Sequence, residues 1–194
     1  MITRGTLFLV VGPSGAGKDA VIAGVRKKFM FDHRVVFPRR AITRVPDGIG
    51  EDHIPLSEEI FETRLNAGHF CLNWYAHNLR YGVPVIVERH LREGRSVVVN
   101  VSRTVIDEAR RRLAPLKVIV ITAPAEELAR RLMARGREKR GEIKKRVARA
   151  DAFVVEGADV VEIDNGGSLS DSVDIFSAEI TGALNPAKDI ARQA

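Results

Sequence analysis

The chain has 194 residues, 45% hydrophobic and 29% charged, with a formal net charge of +6 and a pI near 9.8. That suffices for one compact domain with a sizeable core, and a single cysteine, Cys71, excludes an internal disulfide and a thiolate zinc site. Every apolar run falls short of the about 18 residues that suggest a spanning helix, so the basic excess is left to nucleic acid, a membrane surface or an anionic small molecule.

Residues 6–11 hold a continuous apolar run, Leu7-Phe8-Leu9-Val10-Val11, the pattern of a strand buried on both faces of a parallel sheet. The run ends in a glycine loop and not at a small-residue cleavage site, so no signal peptide is expected. With one cysteine, the chain is expected to be cytoplasmic. Beyond the loop, Val21, Ile22, Val25 and Phe29 share one face of a helix predicted over about 17–29. The stretch 32–92 breaks the alternation with Pro38, Pro46, Gly48, Gly50, Pro55, Gly68, Gly82 and Pro84, and holds Trp74, Tyr75 and Tyr81. Within it, Ser57 followed by Glu58 and Glu59 predicts a capped helix start.

Strand runs recur at Val97-Val98-Val99, Val118-Ile119-Val120-Ile121 and Val160-Val161-Glu162-Ile163. The helices around them are marked by Val105, Ile106, Ala109 and Leu113; by Leu128, Leu132 and Met133; by Ile143, Val147 and Val154; and by Leu169, Val173, Phe176, Ile180 and Leu184. Strands alternating with helices predict an α/β fold, three layers around a parallel sheet. One domain is expected over 1–194: a core of about 1–31, 93–129 and 151–194, an insert at 32–92 and a helical lid at 130–150, with a frayed tail from 185.

The loop between the first strand and helix reads Gly12-Pro13-Ser14-Gly15-Ala16-Gly17-Lys18, the G-x-x-x-x-G-K spacing of a P-loop. Glycines let backbone amides curl around phosphate oxygens, and the helix that follows points its positive end at the same anion. Lys18 can then reach the β- and γ-phosphates of ATP. A Ser or Thr that binds Mg²⁺ ordinarily follows the lysine; here the residue is Asp19. A carboxylate suits a hard cation, so Asp19 is the candidate Mg²⁺ ligand, against the alternative of a helix-capping role.

Residues 130–149 carry Arg130, Arg131, Arg135, Arg137, Lys139, Arg140, Lys144, Lys145, Arg146 and Arg149, opposed by Glu138 and Glu142. Most of these are expected to form a solvated face. With Gly136 and Gly141 inside it, the stretch also suits a lid that brings cations onto a transferring phosphoryl group. It lacks interleaved aromatics, which argues against a nucleic-acid surface.

At this point the chain resembles the guanylate-kinase-like branch of P-loop kinases over about residues 7–150. The resemblance rests on Glu126-Glu127-Leu128, Arg131-Leu132, Arg135-Gly136 and Lys145-Arg146, and on Thr43-Arg44, Gly50-Glu51-Asp52-His53, Gly68-His69-Phe70 and Tyr81-Gly82. It implies that Arg135 and Arg146 contact the transferred phosphate. The departures are Leu72 in place of the guanine-reading glutamate, Val83 in place of a small hydroxyl residue, His53 for a phosphate-binding tyrosine, and Val98-Val99-Asn100 for an acidic Asp-x-Asp. A site built to hydrogen-bond a base loses it when its partners become Leu and Val.

Gly17-Lys18-Asp19, Ala76-His77-x-Leu79-x-Tyr81-Gly82 and Val98-Val99-Asn100-x-Ser102-Arg103 instead look like the ribose 1,5-bisphosphate phosphokinases of phosphonate utilisation. Asn78 and Val101 stand where glycine is common in that family. The resemblance implies ATP and Mg²⁺ as cofactors and a sugar bisphosphate as acceptor. Arg40, Arg44, His53, Tyr81, Asn100, Ser102 and Arg103 are then acceptor-site candidates, with Arg39 interchangeable with Arg40 on sequence alone. Glu51 and Asp52 are assigned a sugar-hydroxyl or metal-water role, or pairing with arginine. His77 is open between core and site, Trp74 and Tyr75 are assigned to packing, and Asp164 and Asn165 are placed near the base. A nucleoside monophosphate kinase, another sugar-phosphate kinase and a non-catalytic interaction module are the competing readings. No nucleic-acid or membrane partner is expected.

Overall fold

The computed structural model describes residues 3–45, 52–134, 141 and 154–185. In chain order these form β1 (Leu7–Val11), α1 (Lys18–Lys28), β2 (Val35–Val36), β3 (Ala41–Ile42), β4 (Ile54–Pro55), α2 (Glu58–Asn66), β5 (Phe70–Ala76), β6 (Leu79–Pro84), α3 (Ile86–Arg92), β7 (Ser96–Asn100), a 3₁₀ turn (Arg103–Val105), α4 (Ile106–Arg112), β8 (Leu116–Thr122), α5 (Ala125–Ala134), β9 (Val160–Asp164) and α6 (Leu169–Leu184). Of the helix expected from Ile143, Val147 and Val154, Ile143 and Val147 lie outside the described residues, while Val154 is exposed and lies in non-helical chain before β9.

The larger sheet is parallel throughout, ordered β2-β7-β1-β8-β9. All five residues of β1 are buried, because this central strand is covered on both faces. Alternation along the strand divides them: Leu7, Leu9 and Val11 join a cluster with Leu91 of α3 and Ile106 and Ala109 of α4. Phe8 and Val10 face the other way, into a cluster with Val21 and Val25 of α1, Leu128 of α5 and Val173, Phe176 and Ile180 of α6. The apolar runs that looked featureless by periodicity are therefore strands serving two cores at once.

The second sheet is ordered β4-β3-β6-β5 and is mixed: β3 runs parallel to β4 and antiparallel to β6. It packs on the same core as the larger sheet. Cys71, Leu72 and Val83 of its β5–β6 hairpin belong to the same cluster as β1 and β7, and burying each large apolar side chain contributes about 1.5–3 kcal/mol. The stretch 32–92 also gives a strand to the larger sheet, since Val35 and Val36 pair with Ser96 and Val97. A two-residue strand has no readable periodicity, which is why β2 escaped the sequence. The capped helix start holds, with Ser57 accepting a hydrogen bond from the Ile60 amide at 3.2 Å.

His77 and Asn78 form the β5–β6 turn, both at positive φ (54° and 58°). Two left-handed residues give a hairpin turn of the primed type, and asparagine tolerates that conformation where glycine was expected. Both side chains are exposed, so His77 is not a core histidine. Cys71 behaves as a buried hydrophobe: desolvation pushes its thiol up to about 12.

Candidate active site

The carboxyl ends of β1, β7 and β9 deliver Gly12, Asn100 and Asp164 to one edge of the sheet, where open α/β sheets bind ligands. The loop at 12–18 wraps the start of α1. Gly17 is its N-cap in the left-handed region (φ 90°), and no side chain caps the helix, which leaves its first amides for an anion. Gly12 needs to be glycine for space, because a Cβ there would meet the Ile121 carbonyl oxygen at 2.1 Å. Lys18 Nζ donates to the carbonyls of Gly12 (2.7 Å) and Pro13 (2.9 Å), lying back over the loop it serves.

Asp19, the departure from the usual P-loop, accepts a hydrogen bond from Asn100 Nδ2 at 3.1 Å. The two departures read separately in the sequence are thus one contact across the β1–β7 edge. Among the described residues no group of three or more His, Cys, Asp or Glu side chains is placed to hold a metal by itself. A single oriented carboxylate fits Mg²⁺ that arrives on nucleotide phosphates and keeps several waters, the ordinary pattern for this ion.

The second sheet and the chain beside it carry four of the acceptor candidates, Arg40, Arg44, His53 and Tyr81. Arg40, only 7% exposed, lies 5.5 Å from the ring centroids of both Trp74 and Tyr81, which stack on each other at 5.2 Å. Arg39 points instead to Asp52, at 3.4 Å, with both side chains largely exposed. Packing distinguishes the two arginines: Arg40 is the one held over aromatic faces. His53 is also buried; its Nε2 donates to the Arg44 carbonyl at 3.1 Å while Nδ1 faces Arg44 Nη2 at 3.5 Å. The Arg44 Nε is buried and has no hydrogen-bond partner. Trp74 is half-buried against the core, as expected of packing, whereas Tyr75 is 64% exposed and bonds to Asn78.

Ser102 caps the 3₁₀ turn by accepting from the Thr104 amide at 3.3 Å. Arg103 lines an open groove of about 510 Å³ with Ile106, Arg110 and residues 154–156. Arg135, Arg146 and Glu51 lie outside the described residues.

Two curated relatives cover nearly the whole chain. The ribose 1,5-bisphosphate phosphokinase of Ruegeria sp. (strain TM1040) is 44% identical over 172 residues, 88% of this chain and 88% of the relative. That of Brucella melitensis biotype 2 is 43% identical over 173 residues, 89% and 90% of the two chains. The chain belongs to the ribose 1,5-bisphosphate phosphokinase family.

A bifunctional ribose 1,5-bisphosphokinase-thymidine phosphorylase of Cupriavidus necator is 45% identical over 169 residues, but this chain spans only 28% of its length. No family model matches the chain. Among solved structures, guanylate kinase from Anaplasma phagocytophilum superposes with a TM-score of 0.69 over 95% of this chain and 89% of its own, at 19% identity. A sugar kinase from Janibacter sp. gives 0.53 over 94% and 98%, at 18% identity. At such identities the likeness speaks for the fold, the guanylate-kinase-like P-loop architecture that the sequence predicted.

In this phosphokinase fold Leu72 and Val83 are 1% and 0% exposed, part of the core beneath the second sheet. They do not present side chains to a ligand. The contacts that hold the Ala16 carbonyl went unread in the sequence. Asn165, placed near the base by its position after the last strand, is 3% exposed and donates Nδ2 to the Ala16 carbonyl at 2.7 Å. Arg131, counted in a solvated basic face, reaches the same carbonyl from Nη1 at 3.3 Å and the Asn165 carbonyl from Nη2 at 2.7 Å. A faint signal existed: Arg131 sits four residues after Glu127 on α5, whose carboxylate accepts from Arg131 Nε at 2.6 Å. Hydrogen bonds from Arg130 and Arg131 hold the Glu127 carboxyl down at about 2.

Proposed function

We propose that this chain transfers the γ-phosphoryl group of ATP to the C1 phosphate of ribose 1,5-bisphosphate, yielding 5-phospho-α-D-ribose 1-diphosphate and ADP, as a cytoplasmic step of phosphonate utilisation. The observation that carries it is 43–44% identity to phosphokinases of that name over close to nine-tenths of each chain. Supporting it, the two positions that would read a nucleobase are apolar and buried.

The acceptor oxygen is already ionised at neutral pH, so no general base is required. It attacks the γ-phosphorus, the bond to the β–γ bridging oxygen breaks, and the electron pair leaves with ADP. The protein's work is positioning and charge compensation. Residues 12–19 bind the ATP phosphates, Lys18 neutralises the moving group, and Arg135 and Arg146 reach it from the lid at 130–150. Arg40, Arg44, His53 and Tyr81 hold the acceptor's phosphates, with Asn100, Ser102 and Arg103 at the β7 edge. Asp19 would hold Mg²⁺ that arrives on the nucleotide, and the ion would supply further charge neutralisation.

An acceptor competition tests the substrate. With MgATP, kcat/KM for ribose 1,5-bisphosphate is expected to exceed that for GMP by at least about a hundredfold, the scale on which an apolar site rejects added polar groups. Comparable or faster transfer to GMP would favour the nucleoside monophosphate kinase alternative. For the metal, Asp19→Ala is expected to raise the Mg²⁺ concentration at half-maximal turnover, and Asn100→Ala to do so by about tenfold, the usual cost of removing a group that orients a ligand. An unchanged Mg²⁺ dependence in Asp19→Ala removes the ligand role and leaves Asp19 as a helix-start acid.

A further inference from the structure

The carbonyl of Ala16 sits inside the phosphate loop's sequence yet is taken up by two donors from distant parts of the chain, Asn165 and Arg131. A trans peptide is planar, so its C=O and N–H point to opposite sides. Whatever pins the Ala16 oxygen therefore aims the Gly17 N–H the other way. Left unpinned, the same peptide can flip and turn an oxygen toward the phosphates, replacing attraction by repulsion.

The donor is itself fixed. Ser172, fully buried on α6, has its hydroxyl 3.0 Å from Asn165 Oδ1. The Ala16 carbonyl can only accept, so Nδ2 is the end that faces it, and the Ser172 hydroxyl meets the oxygen end. The contact also accounts for Gly17: a Cβ there would stand 2.3 Å from Asn165 Nδ2. Arg131 adds a second link, because it bridges Ala16 and Asn165 from α5, the helix on which the basic stretch begins.

We propose that Asn165 is a positioning residue for phosphoryl transfer, which with Arg131 locks the Ala16–Gly17 peptide so that the loop presents amides and no carbonyl to ATP phosphate. The inference rests on ATP binding at residues 12–19.

Asn165→Asp is the sharp variant, equal in size but with an acceptor oxygen where the donor stood. In the full chain it is expected to weaken MgATP binding, read by calorimetry, by about tenfold, the effect of leaving one buried polar group unpaired. The KM for ATP should rise in parallel while the KM for the sugar bisphosphate stays within twofold. Arg131→Gln, at a less buried position, serves if Asn165→Asp does not fold, with a smaller rise confined to ATP. Unchanged MgATP affinity in the folded variant, or an equal rise in both KM values, overturns the inference and leaves Asn165 as a packing contact. No MgATP binding by the wild type would instead overturn the phosphate-loop assignment itself, and the inference with it.

Discussion

Replacing Lys18 with alanine is expected to lower kcat by roughly a thousandfold, about 4 kcal/mol of transition-state stabilisation. Lys18 is the cation proposed to act on the transferring group, and its ammonium is held at the loop by the carbonyls of Gly12 and Pro13 at 2.7 and 2.9 Å. Those contacts hold the charge beside the loop proposed to bind phosphate. The variant should remain folded, because Phe8, Val21, Val25 and Phe176 build this face of the core without it. Steady-state kinetics with circular dichroism separate the outcomes. Lys18→Arg should not restore the rate, since a planar guanidinium does not reproduce the compact point charge of an ammonium. Loss of less than about tenfold would be too small for a group acting on the transferring phosphoryl.

The second large effect is expected at Arg146. Arginines that stabilise charge on a transferring phosphoryl group contribute about 10³–10⁵ in kcat, and Arg146→Ala should lose at least the lower of these while ATP affinity changes by only a few-fold. Arg135→Ala should fall in the same direction. The contrast with Arg131→Gln is the useful one: Arg131 already holds Ala16 and Asn165, so its loss should appear in ATP binding, whereas loss of Arg146 should appear in turnover. Presteady-state mixing with MgATP and acceptor distinguishes them. A normal kcat in Arg146→Ala would assign that arginine to the solvated basic face.

What the sequence disclosed follows from how strongly each feature is constrained locally. β1, the phosphate loop and α1 were legible because a buried strand, a run of glycines and a lysine at fixed spacing each have few alternative uses. Ser57 was legible because a cap acts within four residues. The strands β2, β3 and β4 were not, being two residues long and existing only through partners such as Ser96, Tyr81 and Ala41. Arg39 and Arg40 are adjacent and chemically identical, so only tertiary packing on Trp74 and Tyr81 separates them. The Asp19–Asn100 contact joins two deviations 81 positions apart, each of which looked like a loss on its own. Asn165 was placed near the nucleotide for its position after β9, but its partner Ala16 lies 149 positions away.

The account stands or falls on where the phosphoryl group goes. The most direct measurement is ³¹P NMR of the purified chain with MgATP and ribose 1,5-bisphosphate, following ADP and product phosphorus together. The expected result is a pair of coupled diphosphate resonances on the sugar's C1, growing in step with ADP, one for one. ADP formed with inorganic phosphate alone, or a sugar whose C1 phosphate remains a monoester, would contradict it.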